Sequence, residues 1–190
     1  KNVNFVCGDV FDDIFKENIF DIVLCNGVLH HTKNSFDSFK HALKWVNKNG
    51  FIIVGLYNKY GRLRTLVRKY IYKILGRKYL MLFDPVLRKI SKDSTDKINA
   101  WIKDQYLHPV ERTHSFDEVL KWFDMCDVEF INSIPRCEFI KDSSHEELYV
   151  DFFKSGKRGN FVERILIQLS MIFTRPGSEG GLYLVLGKKR

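Results

Sequence analysis

Short apolar runs closed by turn residues alternate along this chain with segments whose apolar positions recur every three or four residues. Those two periods separate buried strands from amphipathic helices. The runs occupy residues 4–7, 22–25, 51–56, 128–133 and 181–187. Gly8-Asp9 closes the first and Asn26-Gly27 the second, as expected where a buried strand ends in a sharp turn. After the second run, Asn34-Ser35 caps a helix that carries Phe36, Phe39, Leu43 and Val46 on one side, and Asn49-Gly50 stops it. Ser115 with Glu118 forms a capping box for another helix, whose stripe is Phe116, Val119, Leu120 and Phe123. This alternation predicts an α/β fold: a parallel sheet with right-handed crossovers.

Two stretches stand outside that rhythm and are expected to be helical insertions in a single domain spanning residues 1–190. The first, 57–114, opens with an amphipathic helix. Leu63, Leu66, Val67, Tyr70, Ile71, Ile74 and Leu75 fall on one face, and Arg62, Arg64, Arg68, Lys69, Lys73, Arg77 and Lys78 crowd the remainder. A basic helix of this kind over residues 62–78 suits peripheral contact with a membrane or an anionic substrate, and equally a lid or a homodimer contact. A further helix over 96–107 buries Ile98, Trp101 and Ile102, then runs into a loop bearing Tyr106, His108, Glu111, Arg112 and His114. Pro109 breaks any helix there, so these residues do not form a zinc-protease helix face, and no metal is expected. Because the insertion follows a sheet strand, its return is expected over the carboxyl edge of the sheet. The second insertion, 134–180, is polar at first and helical from about 161 to 173, with Arg175-Pro176-Gly177 as its stop.

The apolar strand at 22–25, the small-residue turn Asn26-Gly27 and the pair His30-His31 together resemble the fourth motif of class I S-adenosylmethionine (SAM) dependent methyltransferases. The resemblance covers residues 3–56, 115–133 and 181–187. It implies SAM as cofactor and a Rossmann-like, mostly parallel sheet with helices on both faces and an antiparallel last strand inserted beside its predecessor. It further implies that Asp9 accepts hydrogen bonds from the adenine, with Val10 near the adenine face, and that Asn26, Gly27 and Val28 line the cofactor. Two parts of the family's pattern have no counterpart here, the Gly-rich loop after its first strand and the acidic residue after its second. The expectation is that the corresponding amino-terminal strands lie outside these 190 residues.

Composition narrows the picture slightly. With 45% hydrophobic and 28% charged residues the chain is long enough for a full core. Four cysteines without metal spacing, two of them in apparent strands, suggest buried free thiols and a cytoplasmic location. A net charge of +8 permits RNA, anionic lipid or an acidic substrate as partner without choosing among them. Within the resembling family, the Asn/Asp-Pro-Pro-Tyr/Phe signature for base amino groups is replaced by Asn26-Gly27-Val28-Leu29. A small-molecule oxygen or carbon nucleophile is therefore the expected acceptor. The alternatives are an RNA methyltransferase and a catalytically inactive SAM- or nucleotide-binding module. Imidazole accepts a proton near neutral pH, which makes His31, then His30, the candidate general base, with His108 and His114 in reserve.

Overall fold

The computed structural model describes residues 2–90, 94–138, 151–174 and 180–190. The stop expected at 175–177 and the polar stretch 139–150 lie outside them. Among the described residues one sheet is built from β1 (Phe20–Asn26), β2 (Val46–Tyr57), β3 (Val128–Ile134) and β4 (Leu182–Lys189), in the order β1-β2-β4-β3. β1 and β2 run parallel, and β4 is antiparallel to both of its neighbours. Three strands thus share a direction and the last one is wedged between them, as the family pattern implies. A parallel pair needs a crossover, and α1 (Ser35–Trp45) supplies it. Asn34 starts that helix by accepting from the amides of Phe36 and Asp37. At its other end Lys189 of β4 donates to the carbonyls of Leu43 and Val46, satisfying groups a helix end leaves open.

Alternation along the strands sorts the side chains. Ile52, Val54 and Leu56 of β2, with Cys25 of β1 and Val185 of β4, face a layer formed by α1 and α6 (Phe116–Met125). Phe39 and Phe123 stack there with ring centroids 5.7 Å apart. α7 (Phe161–Ser170) adds Ile167 to the same core. On the opposite face Phe152 packs with Ile131 and Leu186. Gly187 is required by this packing, since a Cβ on it would lie within 3 Å of Val128 and of the Phe123 ring.

The insertion builds a small core of its own. α2 (Leu63–Leu75), α3 (Arg77–Phe83), α4 (Pro85–Ile90) and α5 (Thr95–Tyr106) follow in order, and Leu80, Leu87, Ile98, Ile102 and Tyr106 are buried together. Asp84 sits buried at its centre. Its carboxylate accepts from Trp101 Nε1 at 2.9 Å, the Tyr106 hydroxyl at 2.6 Å and the amides of Val86 at 2.8 Å and Leu87 at 3.2 Å. Four-way use of this kind offsets the cost of burying a carboxylate.

Three expectations fail. Residues 4–7 form no strand: Phe5 is 95% exposed and Cys7 is exposed rather than buried, because no neighbouring strand among the described residues offers them a ladder. Val46, placed on the helix stripe, instead opens β2, and the Asn49-Gly50 bend lies within that strand as an irregularity, with Asn49 at φ 64°. Arg62 and Arg68 are buried rather than solvated, and the apolar stripe of α2 faces outward. Gly187→Ala is expected to destabilise the fold by about 1–3 kcal/mol through overpacking, read from urea denaturation midpoints at unchanged m-value.

Candidate active site

The site is assembled where the carboxyl ends of β1 and β2 meet the returning insertion. At the end of β1 the Gly27 amide donates to the Gly55 carbonyl at 3.0 Å, and Gly27 takes φ 75°, a conformation that favours glycine. The Asn26 side chain lies against Gly55, where a Cβ would collide with it. Beyond Gly27 the space is open: a Cβ there would meet nothing within 4 Å. Val28 is exposed, and the chain then winds into a single 3-10 turn, Leu29–His31, that buries Leu29 in the core and His30 beside it.

Three imidazoles line up from this turn. The His30 ring lies 4.2 Å from that of His31, and His31 lies 3.9 Å from His108 of the returning loop. Tyr57, the last residue of β2, packs against His30 with its ring tilted at 4.2 Å. The row is held by backbone. Val110 O lies 2.9 Å from His31 Nδ1 and 2.6 Å from His108 Nδ1, and the Arg112 amide donates to the His30 carbonyl at 3.0 Å. A carbonyl only accepts, so Val110 places the His31 proton on Nδ1 and leaves the lone pair on Nε2. His30 differs: it is 0% exposed, and neither ring nitrogen has a partner among the described residues. Burial, followed by the positive fields of His31, Arg62, His114 and His108, holds its imidazole down to about 3.

Beneath the row is a guanidinium that sequence reasoning put on a solvated face. Arg62 is wholly buried and forks onto Glu111, with Nε to Oε1 at 2.9 Å and Nη2 to Oε2 at 2.6 Å. Nη1 donates to Gln105 Oε1 at 2.7 Å and to the Gly180 carbonyl at 3.2 Å, and Nη2 to the Gln105 carbonyl at 3.2 Å. Its plane lies 3.8 Å over the Tyr57 ring, whose hydroxyl accepts from Gln105 Nε2 at 3.1 Å. A single Arg immediately ahead of a helix full of cations gives no signal for this role. Tyr57 closing an apolar strand was the legible hint.

The remaining candidates divide. His114 is buried but turned away from the row, with Nδ1 2.9 Å from Glu118 Oε1 and Nε2 2.9 Å from Ser35 Oγ. Its hydrogen bond holds the Glu118 carboxyl below the usual range. It ties the end of the insertion to α1 and α6. Asp9, expected at a strand edge, sits in an exposed turn in which Asp9 Oδ1 accepts from the Phe11 amide and Asp12 Oδ2 from the Asp9 amide. Val10 beside it is half-buried against the main core.

Residues 1–54 match the model of the family described as "Methyltransferase domain". No curated protein matches the chain in sequence. Among solved structures, PKMT2 from Rickettsia typhi aligns at TM-score 0.56 and 14% identity over 96% of this chain and 39% of its own. The same protein in complex with AdoHcy gives 0.56 and 12% over 95% and 38%. A SAM-dependent methyltransferase from Thermotoga maritima, described as a possible histamine N-methyltransferase, gives 0.42 and 16% over 96% and 62%. The chain spans about two fifths of the length of the PKMT2 structures. The fold is shared with PKMT2, and the sequence match to the methyltransferase-domain family is confined to residues 1–54.

Two outcomes follow from this geometry. Glu111→Gln leaves a buried guanidinium without its counter-charge and is expected to cost about 3–5 kcal/mol in denaturant titrations, and replacing Arg62 and Glu111 together by Met should recover part of that loss. The second concerns acid. Below the ordinary imidazole value of 6.5 the unfolded chain takes up a proton that folded His30 refuses until about 3, so stability falls as pH drops through that window. In melts at stepped pH, His30→Phe should flatten the slope between those limits by up to about 1.4 kcal/mol per pH unit.

Proposed function

We propose that the protein is a SAM-dependent methyltransferase acting on an oxygen or carbon nucleophile of a small molecule, with His31 as the general base. The observation that carries the reading is the fixed tautomer of His31, one short turn beyond the open glycine at the carboxyl end of β1. In open α/β sheets that end of the strands is where ligands bind. The residues fit the cofactor: Gly27 leaves its backbone approachable, and the exposed Asp9 carboxylate is an acceptor suited to an adenine amino group. Asp9, Val10, Asn26, Gly27 and Val28 would hold it, and all five lie within the stretch that matches the methyltransferase domain. Bound there, SAM would supply a methyl group on a sulfonium already activated for attack.

What remains for the chain is to orient the acceptor and take its proton. His31 Nε2 receives the proton from a hydroxyl or enol, and Val110 steadies the imidazolium through Nδ1–H. The His31 and His108 rings lie 3.9 Å apart, so two imidazolium charges side by side there would repel each other. His108 therefore orients rather than relays, and His114 is structural. RNA as acceptor is supported by the net charge alone.

Full-length protein titrated calorimetrically with SAM should bind it, and Asp9→Ala should weaken that binding by about 1–3 kcal/mol, the cost of a lost buried hydrogen bond. With the methyl acceptor identified by mass shift against labelled SAM, His31→Ala should lower kcat about a hundredfold or more at similar SAM affinity. A kcat within about threefold of wild type would remove His31 as the base. Salt-sensitive binding of bulk tRNA, with methyl incorporation into it, would move the acceptor from small molecule to RNA.

A further inference from the structure

α2 is mounted inside out. Its inward residues are Thr65, Arg68 and Tyr72, spaced three and four apart on one face, while Val67, Tyr70 and Ile74 on the opposite face are 53%, 66% and 76% exposed. A helix on a water-soluble body normally turns that stripe to the core. Here the rotation is fixed by polar anchors. Arg62 is immobilised just ahead of the first turn by Glu111, Gln105 and Gly180, buried Arg68 faces Tyr106, and Tyr72 stacks towards Tyr106. The outward stripe continues into a shallow apolar groove lined by Leu63, Val67, Ile71, Phe83 and Ile172.

The charge around the stripe has one sign. From Gly61 to Phe83 the chain contains no Asp or Glu, and the next carboxylate, Asp84, is buried under its own hydrogen bonds. At 3.6 residues per turn Lys69 and Lys73 fall on one flank of the stripe and Arg64 on the other. Lys69, Lys73, Arg77 and Lys78 are all exposed. An apolar band flanked by cations and free of anions is complementary to an anionic bilayer surface: the band enters the interface while the lysine stems reach back to the headgroups. No helix among the described residues is long and apolar enough to cross a membrane, so contact of this kind is peripheral.

We propose that the outward face of α2, from Leu63 to Ile74 with the neighbouring Phe83 and Ile172, docks on an anionic phospholipid bilayer. The proposal does not depend on the methyl-transfer reading, because docking requires neither SAM nor an acceptor.

Flotation of the purified protein with phosphatidylcholine vesicles, with and without phosphatidylglycerol, tests it. The expected result is binding to the anionic vesicles only, weakened by salt. Lys69→Glu/Lys73→Glu should reduce the partition about tenfold or more, since each cation near an anionic surface contributes about a fivefold step and two are lost. Val67→Glu/Ile74→Glu should abolish it, and the melting temperature should hold in both variants because these side chains are exposed. Equal binding to neutral vesicles, or binding indifferent to both variants, would overturn the assignment. So would a dimer in sedimentation that Val67→Glu/Ile74→Glu converts to monomer, since a second copy would then cover the face.

Discussion

The buried guanidinium of Arg62 is the constraint on which the functional half of the molecule depends. Its five donors reach Glu111, Gln105 and the Gly180 carbonyl, and its plane lies over Tyr57. Those contacts join three stretches that are distant in sequence: 57–62 from the end of β2 to the start of α2, 105–111 from the end of α5 into the returning loop, and Gly180 on the approach to β4. A buried ion pair adds little net stability over an apolar packing of the same volume, because desolvation consumes most of the Coulombic gain. What it supplies is orientation, since a planar fork accepts its partners in one arrangement only. Fixing Glu111 fixes Val110 one residue away, and Val110 sets the His31 tautomer. Fixing Arg62 also sets the rotation of α2, which is why an apolar stripe can stand outward.

The sheet and its helical layer were legible because their signals are local and redundant. Phe36, Phe39 and Leu43 repeat at helical spacing between two apolar runs, and Ser115 with Glu118 marks a helix start that the structure reproduces at its N-cap. The direction of β4 was not in its residues, which read as a strand of either sense. It came from the family resemblance. Residues 4–7 misled for a related reason. A run of Phe and Val records the capacity to be a strand, but a strand exists only when another pairs with it, and no sequence window contains its partner.

The site was half legible. His30 and His31 announce themselves by following a turn at a strand end, and the loop after Pro109 by its density of titratable groups. Which of those groups meet is decided by where the insertion re-enters, and the chain leaves β2 at Tyr57 and returns beside it at His114, whose amide donates to the Tyr57 carbonyl. That closure brings His108 onto the row and sends His114 to Ser35 and Glu118, a division that spacing alone could not make. Arg62 and Arg68 were misread because amphipathic patterning assumes cations face water. Partners forty residues away reversed the rule for both.

The same closure explains why two adjacent histidines hold different chemistry. His30 and His31 share a turn and a ring contact, yet one is sealed between Tyr57 and its neighbour with no hydrogen-bond partner among the described residues, while the other is half-exposed and tied to Val110. An imidazole held neutral down to about pH 3 cannot store a proton at working pH, but it offers its neighbour a polarisable face without a competing charge. A base works best when its protonated form is neither crowded by like charge nor buried without a counter-dipole. As the proposed base, His31 would have the Val110 carbonyl on its Nδ1 side and the His30 ring on one face, so a charge gained there would be met by a dipole. Arg62, the permanent charge beneath the row, is paired with Glu111 at 2.6 Å, which offsets part of its field at that ring.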